Sequence, residues 1–131
     1  MALTHSVTQK ISAGSRTLQV VRDFTGSGSS SINESIPDSA SDLEVDFALD
    51  VSQAVSVWMC ATGGAITVET NSAAPGDDTI SLADGVPQLF LSTDVGGLSG
   101  LFSADVTALF VSNSSGGAVT LDVEALFDAT V

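Results

Sequence analysis

The chain of 131 residues is 44% hydrophobic and carries three basic against 16 acidic side chains, a net charge of −13 at pH 7. Its length is that of one domain with a core that needs no crosslink, and the single cysteine, Cys60, excludes an intrachain disulfide or a thiolate metal cluster within one chain. So acidic a body repels nucleic acid and anionic membrane surfaces, and the longest mainly apolar run, the eight residues from Ala54 to Ala61 with Ser56 among them, falls well short of the roughly 20 that a membrane-spanning helix needs.

The charge is divided along the chain. Lys10, Arg16 and Arg22 all precede the first acid, Asp23, and every fully charged side chain after it is negative. The excess is mostly Asp, which fits either a salt-adapted source, where concentrated ions screen self-repulsion, or simply an acidic soluble surface. The opening MALTHSVTQK lacks the basic start and continuous apolar stretch of a secretory signal, so the expectation is a chain made and used without that route.

In chain order, Thr4 to Gln9 and Arg16 to Phe24 read as extended, the second with Leu18, Val20 and Arg22 alternating against Gln19, Val21 and Asp23. Residues 1–24 are therefore expected to be an N-terminal arm or edge strand. The tract Thr25 to Ser31, TGSGSSS, has the composition of a flexible linker, so residues 25–31 are assigned as a loop and residues 32–131 as the main domain. Ile32 to Ile36 is a short strand before Pro37, and Asp38 to Ser41 is turn-like. From Leu43 to Leu49 alternation is strict: Leu43, Val45, Phe47 and Leu49 share one face while Glu44 and Asp46 point to water. Asp50-Val51-Ser52-Gln53 resembles one helical turn capped by Asp50.

Ala54 to Thr70 carries two alternating runs joined by Gly63-Gly64, the signal of a β-hairpin with a two-residue turn. Its alternation places Val55, Val57, Met59, Ala61, Ile66 and Val68 on one face and Ser56, Trp58, Cys60, Thr67 and Glu69 on the other. The loop NSAAPGDD leads to a strand at Thr79 to Leu82, Ala83-Asp84-Gly85 turns, and Val86 to Ser92 is a strand that starts or edges a sheet, since Pro87 cannot donate to a ladder. Thr93 to Ser103 reads as an irregular connection anchored by Leu98, Leu101 and Phe102. The chain then repeats itself: Asp105-Val106-Thr107 echoes Asp50-Val51-Ser52, and Gly116-Gly117-Ala118-Val119-Thr120-Leu121 echoes Gly63-Gly64-Ala65-Ile66-Thr67-Val68. A five-residue loop, Asn113 to Gly117, gathers Leu109, Val111, Val119, Leu121 and Val123 on one face. Two such hairpins facing each other, with no helical periodicity elsewhere, predict an all-β fold: a single antiparallel β-sandwich or jelly roll of about eight to ten strands with an extended N-terminal arm.

Candidate chemistry is sparse. His5 is the only histidine and lies in the arm, where an exposed or interface role is expected; Lys10 and the serines sit in no nucleophile motif. Glu44 with Asp46, and Asp77 with Asp78, read as a solvated face and a turn, and the latter loop lacks the spaced acids of a helix-loop-helix calcium site. No catalytic, cofactor or metal residue is assigned. Trp58 stands opposite the core stripe, where a large aromatic is either covered by its own chain or used to meet a partner.

The succession DVSQAVSVWMCATGGAITVETNS, DDTISLADGVPQLFL, DVTALFVSN and GGAVTLDVEALFD, over residues 43 to 128, resembles small β-sandwich proteins of tailed-virus particles, in particular head decoration or cement proteins. The resemblance implies a non-enzymatic protein of the virion surface, made in the host cytoplasm, that binds the major capsid protein or another virion protein, self-associates with a trimer favoured, and reinforces the shell, with neither nucleic acid nor membrane as partner. Lys10, Arg16 and Arg22 are then expected against an acidic capsid or adjacent subunit, with Trp58, Thr67 and Glu69 as a second contact surface. A tail, baseplate or fibre component would use the same sandwich, and a carbohydrate- or calcium-binding module is a third option.

Overall fold

The computed structural model describes residues 3–73, 75–91 and 102–129. Ten strands follow one another: β1 (Leu3–Ala13), β2 (Arg16–Gly26), β3 (Gly28–Ile36), β4 (Leu43–Val45), β5 (Ala54–Thr62), β6 (Ile66–Thr70), β7 (Thr79–Leu82), β8 (Gln88–Leu91), β9 (Leu109–Ser112) and β10 (Val119–Phe127). β1 and β2 pair only with each other. The other eight form two antiparallel sheets, a first in the order β3-β10-β5-β8 and a second in the order β4-β9-β6-β7.

Those two orders contain the pairs β3·β10, β4·β9, β5·β8 and β6·β7, which together make one long antiparallel ribbon whose far turn joins β6 to β7. Rolling that ribbon up adds the two closing ladders, β10·β5 and β9·β6. This is the winding of an eight-stranded jelly roll, which pairs its central strands on both sides and leaves β3, β8, β4 and β7 as edges. Pro87 lies directly before edge strand β8, where its missing amide hydrogen breaks no ladder bond.

Neither glycine-glycine segment closes a hairpin. β5 lies in the first sheet and β6 in the second, so Gly63-Gly64 carries the chain from one sheet to the other; Gly116-Gly117 does the same between β9 and β10. The repeated halves therefore interlock: the first strand of one copy pairs with the second strand of the other, β5 with β10 and β6 with β9. The crossings touch, for a Cβ at Gly64 would stand only 2.7 Å from that of Ser115. Gly63, at φ 104°, adopts the left-handed backbone that the crossing requires.

The expected apolar stripes nevertheless hold. Val57, Met59, Ala61, Ile66, Val68, Leu109, Val111, Val119, Leu121 and Val123 all enter one buried cluster between the sheets. Val55 leaves the stripe: Ser56 opposes Leu126 and Ala54 opposes Phe127, so Val55 is the extra residue of a bulge and packs on the outer side. The strand expected from Leu43 to Leu49 is paired only as far as Val45, with one further bridge from Leu49 to Val106; Val45, Phe47 and Leu49 are buried as the alternation required, whereas Leu43, at the start of the edge strand, is exposed. Of the anchors expected in the connection after β8, Leu98 and Leu101 lie outside the described residues, while Phe102 is buried with its ring 6.2 Å from that of Phe90.

The Gly/Ser tract is corrected from loop to strand. Thr25 and Gly26 end β2, a bend at Ser27 donates its N–H to the Phe127 carbonyl, and residues 28–31 begin β3. Exposed Ser29, Ser31, Asn33 and Ser35 take one face while Ile32 and Ile36 turn inward, so small polar residues here form the wet face of an edge strand.

Val51–Gln53 is a single 3-10 turn capped by Asp50, whose carboxylate accepts the Ser52 N–H at 2.9 Å and the Ser52 hydroxyl at 2.6 Å. Asp105, its counterpart in the repeat, accepts the Val51 N–H. The Ser52 hydroxyl is the main cause of a lowered Asp50 pKa. A carboxylate held below its unfolded pKa stabilises the fold above that unfolded value and loses the contribution as pH falls through the folded one. Asp50→Asn is thus expected to flatten the acid limb of a stability-against-pH curve below the ordinary Asp range and to leave its shape above pH 6 unchanged, as read by urea titration.

Candidate docking site

β1 and β2 form a hairpin closed by Gly14-Ser15, with Gly14 at φ 62° and Ala13 opposite Arg16. The 11 residues of each strand reach about 37 Å at ordinary strand rise. Because cross-strand partners share a face, one side presents Leu3, His5, Val7, Gln9, Ile11, Ala13, Arg16, Leu18, Val20, Arg22 and Phe24. The other carries Thr4, Ser6, Thr8, Lys10, Ser12, Thr17, Gln19, Val21, Asp23 and Thr25, only one of them apolar. The hairpin is amphipathic along its whole length.

Its base is seated on the outer face of the first sheet. Phe24 is buried with Leu91 and Leu126, flanked by Leu3, Val7, Val55 and Leu89. The Arg22 guanidinium stands 5.8 Å from the Phe24 ring centre, within cation–π range. His5 completes the seat: its Nδ1 is hydrogen-bonded to Ser56 Oγ at 2.8 Å and its Nε2 lies 3.5 Å from Glu124 Oε1. Serine, histidine and glutamate in that order have the connectivity of a nucleophilic relay, but Ser56 is 2% exposed and sits mid-strand between the ladders to Leu91 and Leu126. The arrangement acts as a clamp: it satisfies a buried hydroxyl that would cost about 1–3 kcal/mol unpaired and fixes β1 to β5 and β10.

Past the seat the same face continues without support. Ile11, Leu18 and Val20 are 60%, 49% and 56% exposed. Arg16 is exposed on that face, Lys10 is exposed on the other face of the same end, and Arg22 is half-buried nearer the base. Lys10, Arg16 and Arg22, expected on an N-terminal arm, stand on a paired hairpin, for which Gly14-Ser15 between two alternating runs was the signal in the sequence.

Trp58 projects from β5 on the outer face of the first sheet, between Glu124 of β10 and Leu89 of β8, and remains 44% exposed. It lines a groove of about 760 Å³ whose other walls are residues 4–9 of β1, Ser56, Glu124 and the Pro87-Gln88-Leu89 segment. Val86, also exposed, immediately precedes that segment. Thr67 and Glu69 are not part of this surface. They belong to β6 in the second sheet, whose outer side faces the opposite way, and the Glu69 carboxylate accepts the Gly76 N–H at 2.8 Å. The proposed Trp58, Thr67 and Glu69 face is corrected accordingly: it followed from a hairpin that is in fact a crossing between sheets.

The acidic loop between β6 and β7 has its carboxylates engaged with its own chain. Asp77 accepts the Asn71 amide at 2.6 Å, Asp78 accepts the Ser103 N–H at 2.8 Å, and Asn71 in turn accepts the Thr107 N–H at 2.7 Å. Among the described residues, no three His, Cys, Asp or Glu side chains gather to hold a metal ion. Nor is any helix among them long and apolar enough to cross a membrane.

Fold and site together define an acidic jelly-roll sandwich bearing a basic, amphipathic hairpin on one sheet. No family model matches the chain, and searches of curated proteins and of solved structures find no significant match.

Proposed function

We propose that the protein is a non-enzymatic structural component of a virus particle, a decoration or cement module that binds the capsid exterior and reinforces it. The observation that carries this reading is the division of labour within the chain. All three basic side chains lie on a projecting hairpin with an unsupported apolar face, while the chain beyond Gly26 carries 15 of the 16 acids and its described strands form a sandwich. Such a chain has the parts of a fastened module, with the hairpin as the fastening. Eight-stranded jelly rolls recur in viral shells and in lectin domains, an analogy of fold that is compatible with this role. Its partner is then the major capsid protein or another acidic virion protein.

The test is occupancy on shells that lack the protein, read by co-sedimentation and by imaging of the particles. Wild type is expected on the outer surface, and deletion of residues 1–24 is expected to abolish binding. Because the deletion uncovers Leu91 and Leu126, the double charge reversal Lys10→Glu/Arg16→Glu at exposed positions serves as the second variant. Unchanged occupancy for both variants, or density at the tail in place of the head, would overturn the reading.

A further inference from the structure

We infer that the hairpin tip of one copy docks in the Trp58 groove of a second copy of this chain, linking subunits head to tail. The inference rests on reading the hairpin as a fastening device and names its partner.

Three observations converge on that occupant. First, the seated half of the hairpin shows what its apolar face complements. Leu3, Val7 and Phe24 pack on the outer side of the first sheet, and Ile11, Leu18 and Val20 continue the same face with nothing beneath them. A two-stranded ribbon needs such a cover, since alone in water it is marginally stable at best. Secondly, the outer side of the first sheet still has an open apolar stretch, at Trp58, Leu89, Pro87 and Val86, next to the seat that its own hairpin fills. The molecule's own tip cannot use it. The groove is walled by residues 4–9 of β1, the Gly14-Ser15 turn lies at the far end of the same paired ribbon, and no glycine or bulge interrupts β1 between them. Thirdly, charge favours another copy: Arg16, on the docking face of the tip, and Lys10, at the same end of the ribbon on its other face, approach a body with no basic side chain after residue 22, and Glu124 lies in the groove itself.

Tip and groove are different surfaces, so the contact is heterologous: it forms a ring if its rotation closes and an open filament if it does not. A ring would present several copies of the attachment surface at once, which multiplies weak contacts with a shell.

The experiment uses two full-length variants, each damaged on one side only. Leu18→Asp/Val20→Asp spoils the tip and leaves the groove; Trp58→Ser spoils the groove and leaves the tip, with Val86→Asp as an alternative groove variant at an exposed position. Sedimentation velocity without any shell is expected to show wild type as an oligomer at tens of micromolar and every variant alone as a monomer. An equimolar mixture of tip and groove variants is expected to give a one-to-one complex and nothing larger. Trp58 is the only tryptophan, so its emission should shift to the blue when the tip variant, whose Trp58 is intact, receives the groove variant's tip.

A monomeric wild type, a mixture that stays monomeric, or a groove variant that self-associates like wild type while the tip variant does not, would each overturn the inference; the last would mean that hairpins pair with one another. Circular dichroism separates misfolding from lost contact, and the Val86→Asp variant stands in if Trp58→Ser fails to fold. A monomer that still decorates shells refutes tip-to-groove docking alone, whereas a tip-linked oligomer that ignores shells refutes the decoration reading alone.

Discussion

Asn113→Asp is expected to lower the unfolding free energy by at least about 3 kcal/mol at neutral pH. Asn113 is 1% exposed at the end of the sandwich where the chain passes between sheets. Its side-chain amide donates to the carbonyls of Ile36, Pro37 and Gly117, and its Oδ1 accepts the Ser115 N–H and hydroxyl. Its own N–H donates to the Ala40 carbonyl. One residue thus ties the β3–β4 passage to the β9–β10 passage. A carboxylate there would face three carbonyl oxygens with no hydrogen to offer and would be buried without a counter-charge. Burial raises the introduced carboxyl's pKa, so protonation at low pH restores one donor and the deficit against wild type should shrink. Urea denaturation at pH 7 and pH 4 measures both numbers; an equal deficit at the two values would contradict the assignment.

Leu121→Ala is expected to cost about 2–5 kcal/mol, a large share of the roughly 5–15 kcal/mol available to a domain. Leu121 is fully buried on β10, the strand held between β3 and β5, and faces the second sheet within the main cluster. Both of its lateral partners are committed: Ala61 is itself small and buried, and Glu34 lies on the edge strand. Little can move in to fill the space, so the transfer loss and the cavity add. The same truncation at Leu18, exposed on the hairpin, should change stability by no more than about 0.5 kcal/mol. Guanidinium titrations of the two variants give the contrast directly.

Burial was legible in the sequence and pairing was not, for one physical reason. Side-chain alternation is local, so the stripes through Val57, Met59 and Ala61, and through Val119, Leu121 and Val123, point to the core whatever their strands pair with. Two glycines serve a tight hairpin and a passage between sheets equally well. In the first case the stripes lie side by side; in the second they face each other; both bury the same residues. Only the outward faces distinguish the two, which is why Trp58 was grouped with Thr67 and Glu69 although they stand on opposite sides of the molecule. The capped turn at Asp50 depends on contacts within two residues and was read correctly. The TGSGSSS tract was misread because composition reports a preference for freedom, while the ladder offered by Val119–Phe127 overrides it. As for the candidate site, charge placed the basic residues on the arm, but the open groove is made by residues from four separate strands or their flanks and has no linear signature.

The rolled ribbon also dictates when this protein can begin to exist. β3 waits for β10, and β4 waits for β9, across most of the chain's length. A nascent chain that has passed residue 70 has made β5 and β6 but neither of the inner partners between which each will lie. Closing such distant pairs demands their loop entropy in advance, so folding should be slow for the chain's size. Until residue 127 has left the ribosome, the Val57–Met59–Ala61 stripe is open to other chains. The stretch 51–68 that holds this stripe carries no charge of its own, but acids flank it at Asp46, Asp50 and Glu69, and their repulsion between unfinished chains opposes that association, so the charge that shapes the finished surface also protects the protein while it is being made.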